Sequence, residues 1–93
     1  MIIDVFGLLP GAKGPDPNHR VATVTVHPDG TGTVEVHDPR RGARVQELFE
    51  NDFSAFTDYP DGTTEFKAWS PEAIQQILSE ELPSFSLSGQ VRK

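Results

Sequence analysis

Three histidines, His19, His27 and His37, are the residues that could bind a metal ion, because the chain has no cysteine. His27 and His37 share one face of a predicted hairpin, but they are roughly 20 Å apart at the ~3.3 Å rise per residue of a strand. His19 is predicted about 7 Å from His37, diagonally across the hairpin. Asp16 could join these two, yet no third strong ligand is placed beside them. We therefore predict no metal and no cofactor.

Groups suited to nucleophilic or acid–base catalysis are few. There is no cysteine, the serines cluster in the C-terminal tail away from any histidine, and the G-x-S-x-G elbow is absent. Most of the acids are expected on turns and helix surfaces. A chain of 93 residues can barely enclose a pocket of the usual ~300 Å³ or more. We predict that the protein is not an enzyme.

An arginine cluster, Arg40, Arg41 and Arg44, is the least expected feature of the sequence. Cations at the N-terminal end of a helix oppose its macrodipole, at roughly a few tenths of a kcal/mol each. Either they pair with acids such as Asp38 and Glu47, or they bind a phosphate or carboxylate, which guanidinium groups and free N–H groups favour. In the second case, Arg41→Glu combined with Arg44→Glu should abolish partner binding and leave Tm unchanged.

The net charge of −6 is unevenly distributed along the chain. Residues 47–82 carry nine acids against Lys67 alone, a net of −8, whereas the remainder has a net of +2. This balance argues against a general nucleic-acid binder, which needs clustered Lys and Arg. The acidic segment either serves solubility alone or steers a basic partner.

A β-hairpin over residues 20–38 is the clearest structural element. Pro28, Asp29 and Gly30 predict a three-residue turn with a G1 bulge, which sets the register. Alternation along the strands then separates a buried face from a polar face. The buried face holds Ala22, Val24, Val26, Val34 and Val36; the polar face holds Thr23, Thr25, His27, Thr31, Thr33, Glu35 and His37.

The same Pro-Asp-Gly turn recurs at residues 60–62 and predicts a second hairpin. Its register pairs Tyr59 with Thr63 and Phe56 with Phe66. Phe53 would then face Trp69, which puts aromatic side chains on both faces of this hairpin.

Each hairpin leads into a predicted helix through a capping residue followed by proline. The first begins at Asp38-Pro39 and ends near Asn51, with a strand over residues 44–49 as the alternative. The second begins at Ser70-Pro71 and stops at Pro83. The apolar stripes are Val45, Leu48 and Phe49 in the first helix and Ile74, Ile77, Leu78 and Leu82 in the second.

Two further strands are predicted at the ends of the sequence. The apolar run of residues 2–9 indicates a central strand covered on both faces, in which Gly7 marks a bulge or a close approach of another backbone. Residues 84–93 alternate apolar and polar and predict an edge strand, whose terminal charges discourage further pairing.

These elements predict a single α+β domain over residues 1–93. An antiparallel sheet is built from an N-terminal strand, two β-hairpins and a C-terminal strand, with two helices on one face, in the order β-ββα-ββα-β. No window approaches the ~18 apolar residues of a membrane span. No signal peptide is recognised, and the lack of cysteine favours the cytoplasm.

The leading functional hypothesis is a small non-enzymatic module that binds a basic protein partner, as an inhibitor, immunity-type protein or adaptor. The predicted contact residues are Arg40, Arg41, Arg44, Glu47, Glu50, Asp58, Tyr59 and Asp61. The alternative is a nucleic-acid-associated or regulatory domain that uses the arginine cluster on phosphate. A third hypothesis is a homodimer joined through the C-terminal strand.

Overall fold

The structure, a computed structural model, describes residues 1–8, 14–52, 55–58, 63–67 and 70–92, with side chains outside the description at 49–52 and 55–58. The predicted α+β class, with an antiparallel sheet and two helices, is confirmed. The elements are β1 (Ile2–Leu8), β2 (Pro15–Val26), β3 (Thr31–Val36), α1 (Gly42–Asp52), β4 (Ala55–Asp58), β5 (Thr63–Lys67), α2 (Pro71–Glu81), a 3₁₀ helix (Leu82–Phe85) and β6 (Leu87–Val91).

The sheet has the strand order β4-β5-β3-β2-β1-β6, and every neighbouring pair is antiparallel. β1 is an interior strand between β2 and β6, and β6 lies at one edge. The last strand is shorter than predicted, because residues 82–85 form the 3₁₀ helix before Ser86 turns the chain with a left-handed φ of 59°.

The predicted register of the first hairpin is confirmed. Val24 lies opposite Val34 and Ala22 opposite Val36, and Gly30 has the left-handed φ of 87° that the turn requires. In the second hairpin, the pairing of Phe56 with Phe66 is confirmed. The predictions for Phe53, Tyr59 and Trp69 lie outside the described residues.

One apolar core joins the predicted buried face of the sheet to both helices. The hairpin valines that face it are buried, apart from Val36, which is half-buried. We call this side of the sheet the covered face and the opposite side the open face. The core residues are Ile3, Val5, Val21, Ala22, Val24, Val26, Val34, Val45, Leu48, Phe66, Ile74, Leu78, Leu82 and Leu87.

Helix α2 begins as predicted. Ser70 has extended backbone angles, and its hydroxyl accepts a hydrogen bond from the Ala73 N–H at 3.1 Å. Pro71 occupies the first helical position and Glu72 the first turn, where its charge complements the helix dipole.

Helix α1 begins at Gly42, later than predicted, and the alternative strand over residues 44–49 is wrong. The Asp38 carboxylate accepts from the N–H groups of Arg40 and Arg41, and its carbonyl accepts from Gly42 N–H at 2.7 Å. Asp38 therefore caps a turn that precedes the helix instead of the helix itself.

Close packing around Gly42 explains why α1 begins later in the chain than predicted. A Cβ there would lie 2.5 Å from Val36 Cγ1 and 2.7 Å from the carbonyl oxygen of Val21. The chain must cross closely over the end of the first hairpin before it can coil, and glycine permits that approach.

The β1–β2 register shifts on both sides of Phe6, but the extra residues lie in β2, and Gly7 itself pairs regularly with Leu87 of β6. The irregularity predicted at Gly7 is therefore on the neighbouring strand. The close approach is made by side chains and not by another backbone. A Cβ at Gly7 would lie 2.5 Å from a guanidinium nitrogen of Arg41 and 2.8 Å from His19 Nδ1.

The second covered face predicted for β1 does not appear in the described part of the chain. Asp4, Ile2 and Phe6 occupy that open face, and Asp4 is buried by neighbouring polar side chains instead of by a second apolar layer.

Candidate functional site

The arginine cluster lines a groove of about 410 Å³ together with the segment that precedes β6. We call it the arginine groove. Its lining residues are Arg40, Arg41, Arg44, Ser84, Phe85 and Ser86. The turn before α1 supplies one wall, and the 3₁₀ helix with its left-handed end supplies the other. This second wall was not predictable from the sequence, because nothing local in Ser84-Phe85-Ser86 indicates which helix it meets.

Arg41 has a structural role in this groove. Its guanidinium donates a hydrogen bond to the Ser86 carbonyl at 2.7 Å and occupies the space above Gly7. Charge reversal at Arg41 would remove that bond, so the expectation that such a variant keeps its Tm does not fit this geometry. Arg40 and Arg44 are the appropriate positions for a test of binding.

Arg44 and Arg40 are more exposed than Arg41. The Arg44 guanidinium carbon lies 5.8 Å from the centre of the Phe85 ring, within cation–π range. The predicted pair with Glu47 forms at 3.5 Å, between side chains that are both more than half exposed, so its contribution to stability is small. Within the described part of the chain, the Arg40 side chain has no ion-pair partner.

The backbone anion site expected at the start of the first helix is already occupied by Asp38. His19 Nε2 lies 2.7 Å from Asp38 Oδ2. This hydrogen bond is the largest cause that lowers the pKa of Asp38, followed by the bond from Arg40 N–H. An external anion would therefore depend on guanidinium and hydroxyl groups rather than on these backbone donors.

His19 and His37 do not converge on a shared position, because each has its own partner. His37 Nε2 bonds to the Thr23 hydroxyl at 2.8 Å, while His19 bonds to Asp38. Among the described residues, no three His, Asp or Glu side chains are grouped as metal ligands.

An ion-pair network that the sequence did not predict lies on the open face. Asp4 on β1 accepts two bonds from Arg92, at 2.9 and 2.7 Å, and lies 3.5 Å from Arg20 of β2. The Thr23 hydroxyl donates to Asp4 at 3.3 Å. Since that hydroxyl has one proton, it accepts from His37 Nε2. We call Asp4, Arg20, Thr23 and Arg92 the Asp4 network.

The network changes the ionisation of its central carboxylate. The hydrogen bonds from Arg92 lower the pKa of Asp4 below its ordinary value of 3.8, although burial opposes the shift. A signal was present in the sequence, because a charge inside an apolar strand needs a partner. Its partner is 88 positions away, which no local pattern could show.

A second groove, of about 500 Å³, borders this network on the open face. It is lined by Phe6, Pro17, Asn18, Arg20 and His37. Arg20 already pairs with Asp4 and His37 with Thr23, so the groove combines an aromatic wall with polar groups that the fold itself uses.

The predicted contact residues are only partly brought together. Arg40, Arg41 and Arg44 line the arginine groove, and Glu47 pairs with Arg44 beside it. Glu50 and Asp58 have described backbones in α1 and β4, but their side chains, like the whole of Tyr59 and Asp61, lie outside the described residues. Their predicted contacts stay predictions.

No protein-family model matches this chain, and no curated protein or solved structure is significantly similar to it. Within the described residues, neither helix combines the length and the apolar character that a membrane crossing requires.

Proposed function

We propose that the protein is a small non-enzymatic module that binds a basic protein partner, as an inhibitor, immunity-type protein or adaptor would. The observation that carries the proposal is a pair of exposed carboxylates on the open face. Glu35 of β3 lies opposite Thr63 of β5. Glu65 is two positions further along β5, so the two carboxylates are diagonal neighbours. Like charges at this spacing repel, and a partner's lysine or arginine would relieve the repulsion.

The way the fold uses its cations supports the proposal. Arg20 and Arg92 are engaged by Asp4, and Arg41 by the Ser86 carbonyl. Five acids of residues 47–82 have described side chains, and four of these have no ion pair: Glu65, Glu72, Glu80 and Glu81. Uncompensated surface charge steers an oppositely charged partner and raises its association rate.

The proposed contact surface is the end of the open face formed by β3 and β5. Thr63, opposite Glu35, directly follows the stretch that holds Asp58, Tyr59 and Asp61, and we propose that these residues extend the surface. Glu47 and Glu50 belong to α1, which packs on the covered face, so their predicted contacts would need a second part of the partner.

The test is charge reversal followed by capture of basic proteins co-expressed with the tagged chain. Glu35→Lys combined with Glu65→Lys is expected to lower retention of the captured partner about tenfold or more, with Tm unchanged. The matched control is Glu80→Lys combined with Glu81→Lys, which changes net charge equally on the exposed end of α2. Equal losses in both variants, or no basic protein retained by the wild type, would contradict the proposal.

A second candidate function is phosphate recognition in the arginine groove, within a nucleic-acid-associated or regulatory domain. It is favoured by three guanidinium groups around one groove with Phe85 at its wall. Arg40→Glu combined with Arg44→Glu separates the candidates in the same assay. If this variant no longer retains the partner, and if wild-type binding weakens steeply as the salt concentration rises, phosphate recognition would be favoured over the acidic surface.

A further inference from the structure

The outer edge of β6 is available for pairing in the described part of the chain. The backbone groups of Ser86 and Arg92 bond to β1. Because antiparallel residues alternate in the direction of their N–H and C=O groups, those of Leu87, Gly89 and Val91 point away from β1. No described strand accepts them. An unpaired edge of this kind is a template for another strand.

Arg92, one of the two terminal charges expected to protect this edge, is engaged elsewhere, and the other, Lys93, lies outside the described residues. Arg92 folds back over the open face, where it donates two hydrogen bonds to Asp4. Arg92 is therefore neutralised within its own chain, and β6 itself carries no charged residue between Leu87 and Val91.

The sequence of β6 is complementary to a second copy of itself. An antiparallel copy centred on Gly89 sets Leu87 opposite the second copy's Val91, and Ser88 opposite its Gln90. Each relation occurs twice, related by a two-fold axis at Gly89, and every outward N–H and C=O gains a partner. A closed, self-complementary contact of this type is the usual form of a homodimer interface.

The apolar surface beside the strand fits the same two-fold arrangement. A groove of about 240 Å³ runs along β6 and is lined mainly by Leu8, Leu78, Leu82, Pro83 and Leu87. Val91 is 45% exposed, one of two large hydrophobic side chains that are exposed in the described chain. In the centred register, Val91 of the second copy stands opposite Leu87, at this groove, and the exchange is reciprocal.

We propose that two copies of the chain form a homodimer by antiparallel pairing of β6 with β6, which continues the sheet through both subunits. This proposal is independent of the proposed function, because β6 and the acidic end of β3 and β5 lie toward opposite edges of the sheet.

The first test is the mass of the protein by sedimentation equilibrium. The apparent mass of the wild type is expected to rise with concentration toward twice the chain mass of 10.2 kDa. Val91→Glu, which sets a charge against the groove, should stay at the mass of one chain with its circular dichroism unchanged. Gln75→Glu adds the same charge on the exposed face of α2 and should behave like the wild type. A wild type that remains monomeric at millimolar concentration, or a Val91→Glu dimer, would overturn the proposal.

The second test reads the register and exploits the absence of native cysteine. Ser88 and Gln90 of the second copy would form a non-hydrogen-bonded pair with Cα atoms about 4.5 Å apart, within disulfide reach. With diamide as oxidant, a mixture of S88C and Q90C chains should give a mixed crosslinked dimer, and either variant alone should give several-fold less. Equal crosslinking in all samples, or none in the mixture, would overturn the pairing through β6.

Discussion

The two faces of the sheet are built from the same strands and are stabilised in different ways. The covered face is continuous with both helices through side chains such as Val24, Val34 and Ile74, all fully buried. The open face carries several threonines and the Asp4 network, in which a few charged hydrogen bonds join β1 to β2 and to Arg92, the residue after β6. Burial on the first face is collective and non-directional, whereas the second face depends on particular atoms.

The largest effect is expected on the covered face. Ile74→Ala should lower the free energy of unfolding by about 2–5 kcal/mol, because Ile74 is fully buried and the packed core cannot refill the cavity. Urea denaturation monitored by circular dichroism measures this loss. Ile77→Ala, on the same helix but half-buried, is the matched control and should cost less. Equal costs would mean that α2 does not pack as described.

A smaller effect is expected at the centre of the open face. Asp4→Asn keeps the shape of the side chain but removes the charge that Arg92 and Arg20 share, and should cost about 1.5–3 kcal/mol at neutral pH. Asp16→Asn, in the exposed start of β2, is the control and should change stability little.

The pH dependence of this difference follows from the lowered pKa of Asp4. The contribution of the carboxylate is fully present above its ordinary value of 3.8 and is lost as pH falls through the lower folded-state pKa. Urea titrations of wild type and Asp4→Asn at neutral and acidic pH should converge in acid. A gap that widens in acid would contradict the ion-pair assignment.

The smallest effect is expected among the threonines of the open face. Thr33→Ala should change the free energy of unfolding by no more than about 0.5 kcal/mol, because its side chain is partly exposed and no charged bond depends on it. Val34→Ala, the next residue but on the covered face, should cost several times more by the same measurement. Similar costs at the two positions would contradict the division into two faces.

What the sequence predicted correctly was governed by local rules. Alternation and the Pro28-Asp29-Gly30 turn are sufficient to place the strand pairs of the first hairpin, since both act within a few residues. Ser70-Pro71 is likewise sufficient to start α2, because the N-cap hydroxyl and its N–H partner are three positions apart.

What the sequence could not predict depended on distant contacts. The same N-cap logic placed the start of α1 too early, because Gly42 must first pass Val36 and the Val21 carbonyl. Asp4 and Arg92, like Arg41 and Ser86, meet only once the sheet has brought separate segments together. The arginine cluster could therefore be recognised in the sequence, but the wall of Ser84, Phe85 and Ser86 that completes the groove could not.

The Ser86 carbonyl connects the two proposed sites, the arginine groove and the free edge of β6. It accepts hydrogen bonds from both Leu8 N–H, at 3.1 Å, and the Arg41 guanidinium, at 2.7 Å. A ligand in the arginine groove that binds the Arg41 guanidinium would remove one of the two hydrogen bonds that hold Ser86, the residue before β6. By thermodynamic reciprocity, pairing that tightens β6 would weaken that ligand by the same factor. If both proposals hold, this one backbone oxygen would couple groove occupancy to subunit association.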